Sequence, residues 1–133
     1  MLEEDLVPEV TGLTKRRLEI LTEGKVSWHV VNQLHFTAWQ DQNLEHISKS
    51  ILKLCTMVRN NLNTSKGACV VHCNDSVGRT GIFIAMMKLT SDIDINKDTI
   101  DISKTVFDIR AARMEMVYGG LLFLDISYIN SLP

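Results

Sequence analysis

The chain has 133 residues, 14 Lys+Arg against 16 Asp+Glu, a formal net charge of −2, and 45% apolar residues. That length suits one domain with a sizeable core, and the composition excludes disordered and collagen-like chains. Residues 1–66 carry eight basic and eight acidic side chains and residues 67–133 six and eight, so neither half is the basic footprint of a nucleic-acid binder.

The first ten residues, MLEEDLVPEV, are acidic and lack the apolar stretch of a secretion signal. The longest apolar runs, such as Leu121–Leu124, are far too short to span a bilayer. A cytoplasmic protein is expected, with Cys55, Cys69 and Cys73 as reduced thiols, because an odd number of cysteines without framework spacing does not read as a disulfide set.

In chain order, residues 17–22 and 25–36 are β-rich and flank Glu23-Gly24, which predicts a hairpin. From Leu44 to Leu62 the apolar residues Ile47, Ile51, Leu54, Cys55, Val58 and Leu62 recur at helical spacing. Residues 68–72 (ACVVH) read as a short buried strand, with Cys69 in the core. A polar loop follows, then a helix over about 79–89. Another helix is predicted over about 99–113 with Asp98 as its N-cap, and an amphipathic segment over 121–129. Strands interleaved with helices predict an α/β or mixed α+β domain, a mixed sheet flanked by helices.

One segment carries chemistry: His72-Cys73-Asn74-Asp75-Ser76-Val77-Gly78-Arg79-Thr80-Gly81. A strand delivers a cysteine into a tight loop that enters a helix, and an arginine follows six positions later. Loop amides and the helix N-terminus would converge where a dianion can sit, and a guanidinium can grip two of its oxygens. The same positive surroundings favour a thiolate, the attacking form of cysteine. The phosphate-binding loop is therefore read as Asn74, Asp75, Ser76, Val77 and Gly78 between Cys73 and Arg79. Cys69, His72 and Cys73 lack a second Cys/His pair at ligand spacing, and residues 92–98 lack the glycine and glutamate of a calcium loop, so no metal is expected.

This string resembles the signature of the protein tyrosine phosphatases, His-Cys-x5-Arg-Ser/Thr-Gly. Thr14–Leu18 and Gln33–Asp41 are similar to the strands leading to that family's mobile Trp-Pro-Asp loop, and Ile100–Met114 to the helix before its glutamine loop. The resemblance implies a single partial domain over 1–133, equivalent to the C-terminal half of the usual catalytic domain. It implies that Cys73 forms a phosphocysteine, Arg79 binds the phosphoryl oxygens, Asp41 serves as general acid and then base, Thr80 assists departure of the thiolate, and His72 orients the loop. It also implies no cofactor, and phosphotyrosine proteins as partners.

Departures from the family pattern are equally specific. Only Tyr118 and Tyr128 are present, both after the signature, so neither is the tyrosine that stacks on the substrate ring. No glutamine follows Gln42, and Val117-Tyr118-Gly119-Gly120 occupies the glutamine-loop region, so hydrolysis of the intermediate is expected to be slow. The acid loop, Trp39-Gln40-Asp41-Gln42-Asn43, lacks the prolines that restrict its ensemble. Asp75 and Ser76 stand where Ala and Gly are usual; a carboxylate there opposes thiol ionisation and repels a dianion, and Ser is strained if φ is positive. Myotubularin-type lipid phosphatases resemble this loop in having Asp at the same place. Three functions follow from the resemblance: impaired phosphotyrosine hydrolysis, a pseudophosphatase that binds phosphoproteins or a protein partner without turnover, and a phosphoinositide phosphatase. An intact signature with eroded support is similar to the phosphatase-like proteins of polydnaviruses, which implies host-cell cytoplasm and immune suppression.

Overall fold

The computed structural model describes residues 3–24, 26–40, 47–64, 67–95 and 100–118. They fall into two compact units, residues 1–43 and 44–133. The expected α+β class is found, with three strands among the described residues of the first unit and three helices among those of the second.

In the first unit β1 (Glu3–Leu6), β2 (Leu13–Leu21) and β3 (Trp28–Phe36) form an antiparallel sheet in that order. The β2–β3 register pairs Leu13 with Phe36 and Leu21 with Trp28, closing around the turn expected at Glu23-Gly24. β1 is short, acidic and exposed, and its pairing leans on charge: Arg16 on β2 meets Glu4 at 3.2 Å and donates to Gln33 Oε1 on β3 at 3.1 Å.

Between β1 and β2 the chain turns tightly, with Val10 and Leu13 amides donating back to Val7 and Val10 carbonyls. Gly12 sits in this turn at φ +77, and a Cβ there would meet the Ala38 backbone nitrogen at 2.9 Å. Only glycine permits that approach. It lets the Gly12 carbonyl accept from both the Thr37 amide (2.8 Å) and the Thr37 hydroxyl (3.0 Å), which anchors the chain as it leaves β3 toward buried Trp39.

The second unit is built around α2 (Gly78–Ile95), against which α1 (Ser48–Thr64) and α3 (Ile102–Ala112) both pack. α1 buries Ile51, Leu54, Cys55 and Val58, one stripe at the predicted i, i+3, i+4, i+7 spacing. α2 buries Gly81, Ile82, Phe83, Ala85, Met86 and Leu89, almost all round, as a helix with neighbours on two sides must. Ion pairs clamp both contacts: Arg59 of α1 to Asp94 of α2, with a hydrogen bond donated to the Thr90 hydroxyl, and Lys88 of α2 to Asp108 of α3 at 2.6 Å. Deleting one of the deepest side chains, Leu89 or Ile82, to Ala costs about 2–5 kcal/mol at such sites.

Two expectations are corrected. Residues 68–72 are not in a strand, Cys69 is exposed, and Val70 is 82% exposed. The segment has no ladder partner among the described residues, and an unpaired run has no second sheet face to bury its side chains. The N-cap of α3 is Asp101, whose carboxylate accepts from the Lys104 amide at 2.8 Å. Asp98 lies outside the described residues, as do the segment over 121–129 and the acid-loop residues Asp41, Gln42 and Asn43.

Candidate active site

The polar loop runs from half-buried Cys73 to Gly78, the first residue of α2. Its centre is one oxygen. Asp75 Oδ1 accepts from the Val77 amide at 2.9 Å, from the Gly78 amide at 3.3 Å and from the Cys73 thiol at 3.1 Å. The carboxylate thus meets the two amides that open the helix, as a capping residue does. The Val77 amide, then the Cys73 thiol, then the Gly78 amide hold the Asp75 carboxyl below its ordinary value.

The backbone bends to make this possible. Ser76 lies at φ 57, the left-handed region, at a cost of order 1 kcal/mol for a residue with a Cβ. The condition under which serine is strained at this position is therefore met. The bend turns the 77 and 78 amides toward one point, so that they bind an anion there.

The other expected residues are distributed as follows. His72, Asn74 and Arg79 are exposed, Ser76, Val77 and Gly78 half-buried, and Thr80 buried. The Thr80 hydroxyl is enclosed without a hydrogen-bond partner among the described residues. Loop residues 73–78 and the start of α2 are contiguous in the second unit. Asp41, assigned the acid role, lies outside the described residues.

The loop is braced by residues to which the sequence assigned no role. The Val77 carbonyl accepts from the Gly81 amide at 3.0 Å and from the Val117 amide at 3.4 Å. Arg110, at the end of α3, donates to the carbonyls of Met116 and Val117, both at 2.8 Å. Arg113 donates to the Asp75 carbonyl at 3.4 Å. These arginines, three apart at a helix end, tie the 113–117 turn to the loop; cations in the last turn of a helix followed by a non-helical segment are the signal that marks them.

Gly81 makes the close approach possible. A Cβ built there would stand 2.5 Å from Val117 N and 3.3 Å from the Met116 carbonyl carbon. The final glycine of the signature is thus required by the 116–117 backbone lying on α2. That backbone is itself strained, with Glu115 at φ 64 and Val117 at φ 56, the latter unusual for a β-branched residue.

Against known proteins, a family profile described as protein-tyrosine phosphatase matches residues 8–120. The chain is 31% identical over 119 residues to receptor-type tyrosine-protein phosphatase eta of Gallus gallus, covering 88% of this chain and 8% of that protein. It is 37% identical over 104 residues to the phosphatidylinositol phosphatase PTPRQ of Rattus norvegicus, covering 78% of this chain and 4% of that protein. The crystal structure of the Trypanosoma brucei protein tyrosine phosphatase TbPTP1 superposes with a TM-score of 0.82 at 23% identity, over 95% of this chain and 44% of that one. The chain therefore spans a small part of these curated relatives and under half of the structural neighbour. No helix among the described residues is long and apolar enough to cross a membrane. With that profile spanning residues 8–120, this chain belongs to the protein-tyrosine phosphatase family.

Proposed function

We propose that the chain takes phosphate monoesters, phosphotyrosine first among them, into the 73–79 loop and hydrolyses them slowly through Cys73. The observation that carries this reading is the convergence of the Val77 amide, the Gly78 amide and the Cys73 sulfur on a single anionic oxygen. A phosphoryl oxygen in that position would face the nucleophile directly.

In the first step the Cys73 thiolate attacks phosphorus, the P–O bond to the leaving phenolate breaks, and Asp41 supplies the phenolate's proton. Arg79 and the loop amides hold the charge that spreads over the phosphoryl oxygens. In the second step Asp41 takes a proton from water, the water attacks phosphorus, and the P–S bond breaks with the buried Thr80 hydroxyl donating to the departing sulfur. Val117-Tyr118-Gly119-Gly120 stands in place of a glutamine loop that would position that water, so the second step is the slow one. The reading assigns the chain to the cytoplasm, that of a host cell if it is viral, where phosphoproteins are its partners.

A second reading is phosphoinositide hydrolysis. It is favoured by the likeness to a protein named as a phosphatidylinositol phosphatase and by Asp75 in the loop.

The test is turnover of an aryl phosphate and a short-chain phosphoinositide by wild type, Cys73→Ser and Asp41→Ala. Cys73-dependent release of phosphate from the aryl ester, slowed by Asp41→Ala, supports the first reading; preference for the lipid supports the second. Absence of turnover with vanadate still raising Tm identifies a phosphate-binding pseudophosphatase. Absence of both refutes the anion cradle.

A further inference from the structure

We propose that the Asp75 carboxylate is a built-in occupant of the oxyanion site, a specificity residue that an incoming phosphoryl group must displace; this rests on the loop being a phosphate cradle. Three observations carry it.

First, Oδ1 takes the Val77 and Gly78 amides that an external oxyanion would use, and accepts from the thiol as well. One side chain therefore occupies both amides and engages the nucleophile's sulfur. Second, Asp75 is exposed, so solvent receives the carboxylate when it rotates away. Third, the backbone is held separately: Arg113 donates to the Asp75 carbonyl, and the Val77 carbonyl is fixed by Gly81 and Val117. The side chain can leave while the amides stay aimed at the same point.

The consequence is selection by binding energy from outside the loop. A tethered carboxylate competes at a high effective concentration, which small free oxyanions do not overcome efficiently. A phosphoester with a large organic group recruits further contacts and does. The site should thus favour bulky phosphoesters over inorganic phosphate, vanadate or very small esters.

The experiment compares wild type, Asp75→Ala and Asp75→Asn by calorimetric titration with vanadate and by alkylation of Cys73. Alkylation uses anionic iodoacetate and neutral iodoacetamide, with the modified peptide identified by mass because Cys69 is also exposed. Freeing one charge-assisted amide predicts vanadate binding about tenfold or more tighter in Asp75→Ala. Asp75→Asn keeps an acceptor without the charge and should fall between. The ratio of iodoacetate to iodoacetamide rates at Cys73 should rise in the same order. Circular dichroism monitors folding; if Asp75→Ala does not fold, Asp75→Asn carries the test in the same direction. Equal vanadate affinity and an unchanged ratio in the variants overturn the inference and leave the cradle intact. Failure of vanadate to bind wild type and variants alike overturns the cradle, and the inference with it.

Discussion

Gly81→Ala is the substitution whose cost follows most directly from the geometry. The new Cβ would lie 2.5 Å from Val117 N, a backbone atom that cannot rotate out of the way. Nor can the segment drift freely, because Arg110 holds the carbonyls of Met116 and Val117 and the Val117 amide reaches Val77. Overpacking of this kind costs about 1–3 kcal/mol, and the Val117–Val77 hydrogen bond adds about 0.5–1.5 if it breaks. Alanine returns about 1 kcal/mol through its helix propensity. The balance is a net loss of about 0.5–3.5 kcal/mol, which for a chain of this length lowers Tm by roughly 2–13 °C. The assay is thermal denaturation followed by the helical circular dichroism signal, with Cys73 alkylation at a temperature where the variant is folded. Since the 116–117 segment braces the Val77 carbonyl, the alkylation rate should change as well. A variant that melts at or above wild type, with Cys73 reacting as before, would refute the claim that this glycine exists for the close approach.

Two further outcomes are expected. Asp108 receives hydrogen bonds from Lys88 and then Lys104, which hold its carboxyl below the ordinary value. A depressed folded value means stability that is complete above the unfolded pKa of about 3.9 and lost as pH falls through the lower folded one; Asp108→Asn should therefore melt below wild type near neutrality and converge with it in strong acid, and a constant gap down to the lowest pH would contradict this. Burial pushes the Cys55 thiol up to about 12, so at pH 8 iodoacetamide should label exposed Cys69 and leave Cys55 untouched until denaturant is added; early labelling of Cys55 would contradict its place in the α1–α2 contact.

How much the sequence disclosed depended on whether the deciding forces were local. α1 was legible because Ile51, Leu54, Cys55 and Val58 recur at one helical period and meet a neighbour on one side only. α2 extends to Ile95, beyond the predicted Leu89, because Arg59 of α1 engages Thr90 and Asp94 on its polar last turns. For α3 the sequence offered Asp98 and Asp101, two residues of identical capping chemistry; the choice of Asp101 is made by the path of the chain. β1 was invisible, since EEDL has neither alternation nor β-branched residues and pairs through Glu4 and Arg16. The 68–72 run misled in the opposite direction, because continuous apolarity reports what a segment can bury and says nothing of its partners.

In the site the same division holds. The donor-rich turn was readable from the Cys-x5-Arg spacing, and the positive φ at Ser76 from the demands of that turn. Asp75 was read as a charge near the thiol, whereas it folds inward and caps Val77 and Gly78. An aspartate bonding to amides two and three residues on is a local pattern, so that reading was available from sequence. Arg110, Arg113 and Val117 were not, because their roles depend on how α3 ends against the loop.

In the proposed mechanism the sulfur of Cys73 receives the phosphoryl group. An acid quench of the chain shortly after mixing with an aryl phosphate, followed by peptide mass mapping, tests it directly. Phosphate should appear on the Cys73 peptide, accumulate because the following hydrolysis is slow, and be absent from Cys73→Ser. Consumption of the ester with no phosphate on that peptide, or equal turnover by the serine variant, would contradict it.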